Sequence, residues 1–74
     1  MIQLIGLRAA RGRRLLSQAE LAELSGVSKN TIHRLETGTS EARGRTIRKL
    51  AAALDIQPDV LWSEDGSADV KRAA

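Results

Sequence analysis

At 74 residues, with twelve Lys and Arg against nine Asp and Glu and a formal charge of +3, the chain is one small domain whose mild cationic excess suits an anionic partner. It has no cysteine and one histidine, which excludes a disulfide framework and a thiol nucleophile and leaves no metal site to expect. One histidine and scattered acids assemble no nucleophile, base and oxyanion donors, so neither an enzyme nor a cofactor is expected. No apolar run approaches the roughly 20 residues that span a bilayer, and Met1 to Leu7 lacks the charged start and length of a signal peptide. The default is a cytoplasmic protein with no membrane partner.

Helical periodicity runs along the chain without an alternating strand pattern, so the expected class is all-α, broken at Gly26, between Gly38 and Gly44, and at Gln57-Pro58. Helix 1 is expected from about Gln3 to Arg14, with Leu4, Leu7 and Arg11 on one stripe. Gly12 costs it about 1 kcal/mol relative to alanine, so fraying or an early end near Arg11 is expected. Ser17, with Glu20 three positions later, forms a capping box that starts helix 2 at Gln18. Leu21, Ala22 and Leu24 supply its apolar stripe, and Ala22 is small where helices cross. Gly26 follows where positive φ is needed, and Val27 returns to the core.

Ser28 caps helix 3, whose Ile32 and Leu35 share one face. At about 100° per residue, Asn30, Arg34 and Thr37 point away from that face with His33 beside them, a polar row without an acid. Two short amphipathic helices about a tight glycine turn are the layout of a helix-turn-helix, which places one helix in a DNA groove. Thr46 is the expected cap of helix 4, which carries Ile47, Leu50, Ala51 and Leu54. Pro58 suits the first turn of a short helix 5 bearing Val60, Leu61 and Trp62. Residues 63–74 are small and charged with no apolar period. They are expected to be a disordered tail after a DNA-binding domain spanning residues 1–62.

Charge adds one long-range expectation. The basic clusters Arg8, Arg11, Arg13, Arg14 and Arg43, Arg45, Arg48, Lys49 each read alone as a solvated face. Arg11, however, sits on an apolar stripe, and Glu36 lies at the edge of the buried face of helix 3, where an isolated charge is expensive. The two are expected to form one ion pair tying helix 1 to helix 3, the alternative being that each reaches solvent separately.

Leu7-Arg8 with Arg11, Ser17-Gln18, Leu21-Ala22, Gly26-Val27-Ser28, Thr31-Ile32, Leu35-Glu36, Gly38, Thr46 and Leu50-Ala51 fall in one register. On these residues the chain resembles the lambda repressor and Cro family of helix-turn-helix regulators, over about Leu4 to Trp62. The resemblance implies a five-helix bundle acting as a homodimer on a pseudo-palindromic operator in double-stranded DNA, and controlling transcription by occlusion or polymerase contact. It implies a phosphate contact for Gln18 at the head of helix 2, and base contacts for Lys29, Asn30 and Arg34. Ser28, Thr31, Thr37, Thr39 and Ser40 would donate to phosphates, with Arg43 and Arg45 acting through charge; Ser and Thr also serve here as caps and turn residues. His33 either touches a phosphate or is merely exposed.

Trp62 reads as a partial core plug or a dimer contact, and the dimer is expected around Ile56, Val60 and Trp62. The chain departs from the family at Leu15, where relatives commonly have a helix-closing glycine, so the loop before Gln18 is expected to differ. Two other readings remain. One is the antitoxin half of a toxin–antitoxin pair, with a toxin as partner. The other is a protein-interaction adaptor, which calls for an apolar or acidic outward face that Asn30, His33 and Arg34 do not supply.

Overall fold

Helices as short as those expected here are not stable alone in water, so the fold depends on what their apolar faces meet. The computed structural model describes residues 2–62, and the tail expected to be disordered lies outside them. The elements are α1 (Leu7–Arg13), α2 (Gln18–Ser25), α3 (Lys29–Glu36) and α4 (Gly44–Leu54), followed by a 3-10 helix at Pro58–Trp62. No strand occurs among the described residues. Leu4, Leu7, Leu21, Ile32, Leu50, Leu54 and Leu61 are fully buried in a single core. Each contributes about 1.5–3 kcal/mol relative to exposure, which outweighs the weak propensity of helices this short.

The first helix begins later than its periodicity predicts. The backbone at Ile2 and the Gly6 N–H bond to distant segments instead of to a helical ladder: Ile2 pairs with Ala42 in an antiparallel bridge, N to O 2.9 Å and O to N 2.8 Å, and Gly6 N–H donates to the Leu61 carbonyl at 2.8 Å. Leu4 is buried all the same. Gly12 does not end the helix early, because α1 continues to Arg13. Closure comes from Leu15, which adopts φ 57°, while Leu16 N–H donates to the Arg11 carbonyl at 3.3 Å. The turn therefore takes the left-handed conformation that a glycine would give, built with a leucine that is 90% exposed.

The caps of α2 and α3 are those their sequences predict. Ser17 Oγ accepts from Glu20 N–H at 3.0 Å while Glu20 Oε1 accepts from Ser17 N–H at 2.8 Å, and Gly26 ends the helix at φ 76°. Ser28 Oγ accepts from Thr31 N–H at 3.1 Å. Leu24, by contrast, is 61% exposed and not part of the stripe. The covered side of α2 runs through Gln18, Leu21, Ala22 and Ser25. Leu24 falls roughly 110° from its centre at about 100° per residue.

Helix α4 starts two residues before the expected Thr46, with Arg43 as its N-cap. The loop is pinned at Ala42, and the Arg43 carbonyl takes the first helical bond, from Ile47 N–H at 3.0 Å. Thr46 then lies inside the first turn. Ile47, Leu50, Ala51 and Leu54 bury one continuous stripe. The expected fifth α-helix is a 3-10 helix of 5 residues, in which Val60 N–H bonds back three residues to the Gln57 carbonyl at 3.1 Å. A segment of five residues offers few i to i−4 pairs, and the tighter i to i−3 bond closes within it.

Candidate nucleic-acid interface

Burial of Ile32 and Leu35 against the core turns the opposite side of α3 outward, and Lys29, Asn30, His33 and Arg34 are all exposed there. Among the described residues the side chains of Lys29, Asn30 and Arg34 make no hydrogen bond or ion pair, so their donors remain available. Together these residues can offer a guanidinium fork, an ammonium and a two-way amide to an edge of donors and acceptors.

The orientation of α3 is set from behind. Arg11 Nε donates to Glu36 Oε2 at 2.6 Å and Arg11 Nη2 to Glu36 Oε1 at 2.9 Å, a bidentate pair across 25 residues. Arg11 Nη1 donates to the Leu16 carbonyl at 2.7 Å, and Gln18 Nε2 to Glu36 Oε1 at 3.0 Å. Donors from α1 and α2 thus converge on one α3 carboxylate whose side chain is 3% exposed, while the same guanidinium holds the α1–α2 turn through Leu16. Burial alone would push the Glu36 carboxyl up. The hydrogen bonds from Arg11 and Gln18 and the charges of Arg11 and Arg8 outweigh burial and hold it below the usual carboxylate range. The hydrogen bond to Glu36 in turn raises the Arg11 pKa.

Gln18 therefore sits at the head of α2 with its amide already oriented, one hydrogen engaged. Around it a cleft of about 340 Å³ is lined by Arg8, Arg11, Gln18, His33, Glu36 and Thr37. Sequence reasoning did not single out Arg8 as a site residue. The available signal was its spacing, one helical turn before Arg11 and hence on the same face of α1.

The hydroxyls divide by what they already do. Ser28 Oγ caps α3 and donates to Thr31 Oγ1 at 2.8 Å, which leaves the hydroxyl hydrogen of Thr31 without an acceptor among the described residues. Thr37 Oγ1 donates to the Arg34 carbonyl at 3.3 Å and meets Thr39 Oγ1 at 2.8 Å. Ser40 is half-buried in the same loop, while Arg43 and Arg45, at the start of α4, are exposed without an ion pair among the described residues. These loop residues and the α3 row flank Thr37 along the chain.

After α4, Trp62 is 40% exposed and Ile56 is half-buried beside a depression of about 240 Å³ lined by Ala51, Ala52, Asp55, Ile56 and Gln57. Val60, expected with them at a dimer face, is instead 4% exposed and packed into the core of its own chain. No group of three or more His, Cys, Asp or Glu side chains among the described residues could hold a metal ion. No helix among them is long and apolar enough to cross a membrane.

A glycine turn between two capped helices, the second with its polar row outward, defines a helix-turn-helix protein. The chain belongs to the helix-turn-helix family of the lambda repressor and Cro type, whose family model matches residues 7–61. It is similar to the HTH-type transcriptional regulator PrtR of Pseudomonas aeruginosa, 39% identical over 67 residues. That match takes in 90% of this chain and 26% of the longer protein. No solved structure gives a significant match.

Proposed function

We propose that the chain is a sequence-specific regulator of transcription, a repressor, that binds double-stranded DNA in the cytoplasm with α3 in the major groove. The observation that carries this reading is the exposed, acid-free set Lys29, Asn30 and Arg34, without a side-chain partner among the described residues, on a helix held from behind by the Arg11–Glu36–Gln18 cluster. Arg34 and Lys29 donate to guanine O6 and N7 and Asn30 pairs with adenine, each good contact adding about 1–3 kcal/mol of discrimination. Gln18, Ser28, Thr31, His33, Thr37, Thr39, Ser40, Arg43 and Arg45 engage the backbone and set register. Two copies, meeting through Ile56 and Trp62, read half-sites about 34 Å apart on a pseudo-palindrome. Membership of the family and the likeness to a transcriptional regulator support this reading.

The test is fluorescence anisotropy with duplexes tiled across the gene's own upstream region, beside a shuffled control, at two salt concentrations. Binding to one tile about 10³ tighter than to the control is the expected result. Equal and steeply salt-dependent binding to every duplex would leave only backbone attraction, and no binding at low salt would refute the reading.

A further inference from the structure

The floor of the α1–α2–α3 cleft is a carboxylate, which by itself would repel an anion. Both its oxygens are occupied, however, and the Arg11 guanidinium that binds them cancels the charge. What remains at the sides is Arg8 from α1 and His33 from α3. Arg8 shares a helix face with Arg11, and His33 shares one with Glu36, because each pair is three residues apart. Among the described residues Arg8 forms no hydrogen bond or ion pair, and its charge reaches Glu36 only through space. Gln18 gives one amide hydrogen to Glu36 and keeps the second. His33 and Thr37 border the cleft and also flank the outward row of α3, so the cleft opens toward the surface assigned to DNA.

We propose that this cleft receives one phosphodiester of the bound duplex and that Arg8 is its main cationic contact, which brings α1 into the interface beyond the helix-turn-helix proper. The inference rests on the DNA-binding reading above. Donors from three helices meet on a single phosphate: the Arg8 guanidinium, the free amide hydrogen of Gln18 and the His33 ring. A phosphate clamped from three directions fixes how deep and at what angle α3 lies in the groove. The neutralised floor is what makes the clamp work, since an unpaired Glu36 would face the phosphate charge to charge.

The test uses the full chain, the tightest tile from the anisotropy series, and the same tile carrying one neutral methylphosphonate at successive positions. Arg8→Gln should weaken binding to the unmodified tile and to shuffled DNA alike, by about fivefold at 0.15 M salt, and lower the salt slope by about 0.9. Its circular dichroism should match the wild type and its melting should shift only slightly, because Arg8 is exposed and acts on Glu36 only through space. At one methylphosphonate position the wild type should lose at least as much as Arg8→Gln loses, and the variant, with only Gln18 and His33 left to reach that phosphate, should lose clearly less there than the wild type does. Additive losses at every position would overturn the proposal, by showing that Arg8 acts only as diffuse charge, and so would an unchanged salt slope. Failure of the wild type to bind any duplex would instead bring down the DNA-binding reading, and this proposal with it.

Discussion

Leu15 carries two costs at once: a left-handed backbone at φ 57° and an apolar side chain that is 90% exposed. A left-handed residue with a Cβ costs about 1–2 kcal/mol, which glycine avoids. Glycine gives back about 0.5–1 kcal/mol through the greater freedom of the unfolded chain. The leucine side chain itself has almost no burial to lose. Leu15→Gly should therefore stabilise the fold by about 0.5–1 kcal/mol, raising the melting temperature by about 2–8 °C for a domain of this size. Leu15→Ala keeps the Cβ and the strain, so it should stay within about 0.5 kcal/mol of the wild type. Thermal unfolding followed by far-UV circular dichroism, at matched protein concentrations so that any self-association contributes equally, measures both. The reasoning fails if Leu15→Gly melts at or below the wild type. It fails equally if Leu15→Ala loses more than about 1 kcal/mol, because the leucine would then be making contacts that its exposure denies.

Glu36→Gln should destabilise the fold by about 2–4 kcal/mol at neutral pH, less than full loss of a buried partner because the amide oxygen still accepts from Arg11. Since folding lowers the Glu36 pKa, that stabilisation is complete above the ordinary glutamate value of about 4.3 and is lost as pH falls through the lowered folded value. Urea titrations should show the gap between wild type and variant closing in acid, and a gap independent of pH would contradict the assignment. Ser17→Ala removes the acceptor for Glu20 N–H and should cost about 1 kcal/mol, read as a drop of about 4–8 °C in melting temperature. Arg34→Ala should relax base preference at one operator position, whereas Arg43→Ala should weaken every sequence alike and flatten the salt slope; identical behaviour of the two on specific and random duplexes would remove the distinction between base and backbone contacts.

What the sequence made legible was what is local or chemically forced. The Ser17–Glu20 box, the Ser28 cap and the Gly26 turn each act within a few residues, so the residue types alone specify them. Arg11 and Glu36 are 25 residues apart, yet each was conspicuous as a charge on an apolar face, and the structure places them in one bidentate pair. The misses share a cause, since each depended on which surface another element covers. Leu24 is hydrophobic but lies on a side of α2 that no other described element covers, and the start of α1 was decided by Ala42 and Leu61, far along the chain. Arg43 as a cap without a side-chain bond leaves no signature in residue type, whereas Thr46 carried a misleading one. Leu15 shows the limit of propensity from the other side, because tertiary packing imposed on leucine a conformation that its side chain resists.

The Ile2–Ala42 bridge ties the chain's start to the loop that carries Thr39, Ser40 and Arg43. Its two hydrogen bonds contribute about 0.5–1.5 kcal/mol each, and fixing Ile2 and Gln3 costs about 1–2 kcal/mol per residue, so the latch sits near balance while the core does not. It can open and close many times without the domain unfolding, and the Ala42 amide should exchange with solvent through that brief opening and not through global denaturation. Warming then loosens the loop well before it melts the helices. The order of that loop, and with it the backbone contacts proposed for it, consequently has a temperature limit separate from that of the fold, set at Ile2 and Gln3.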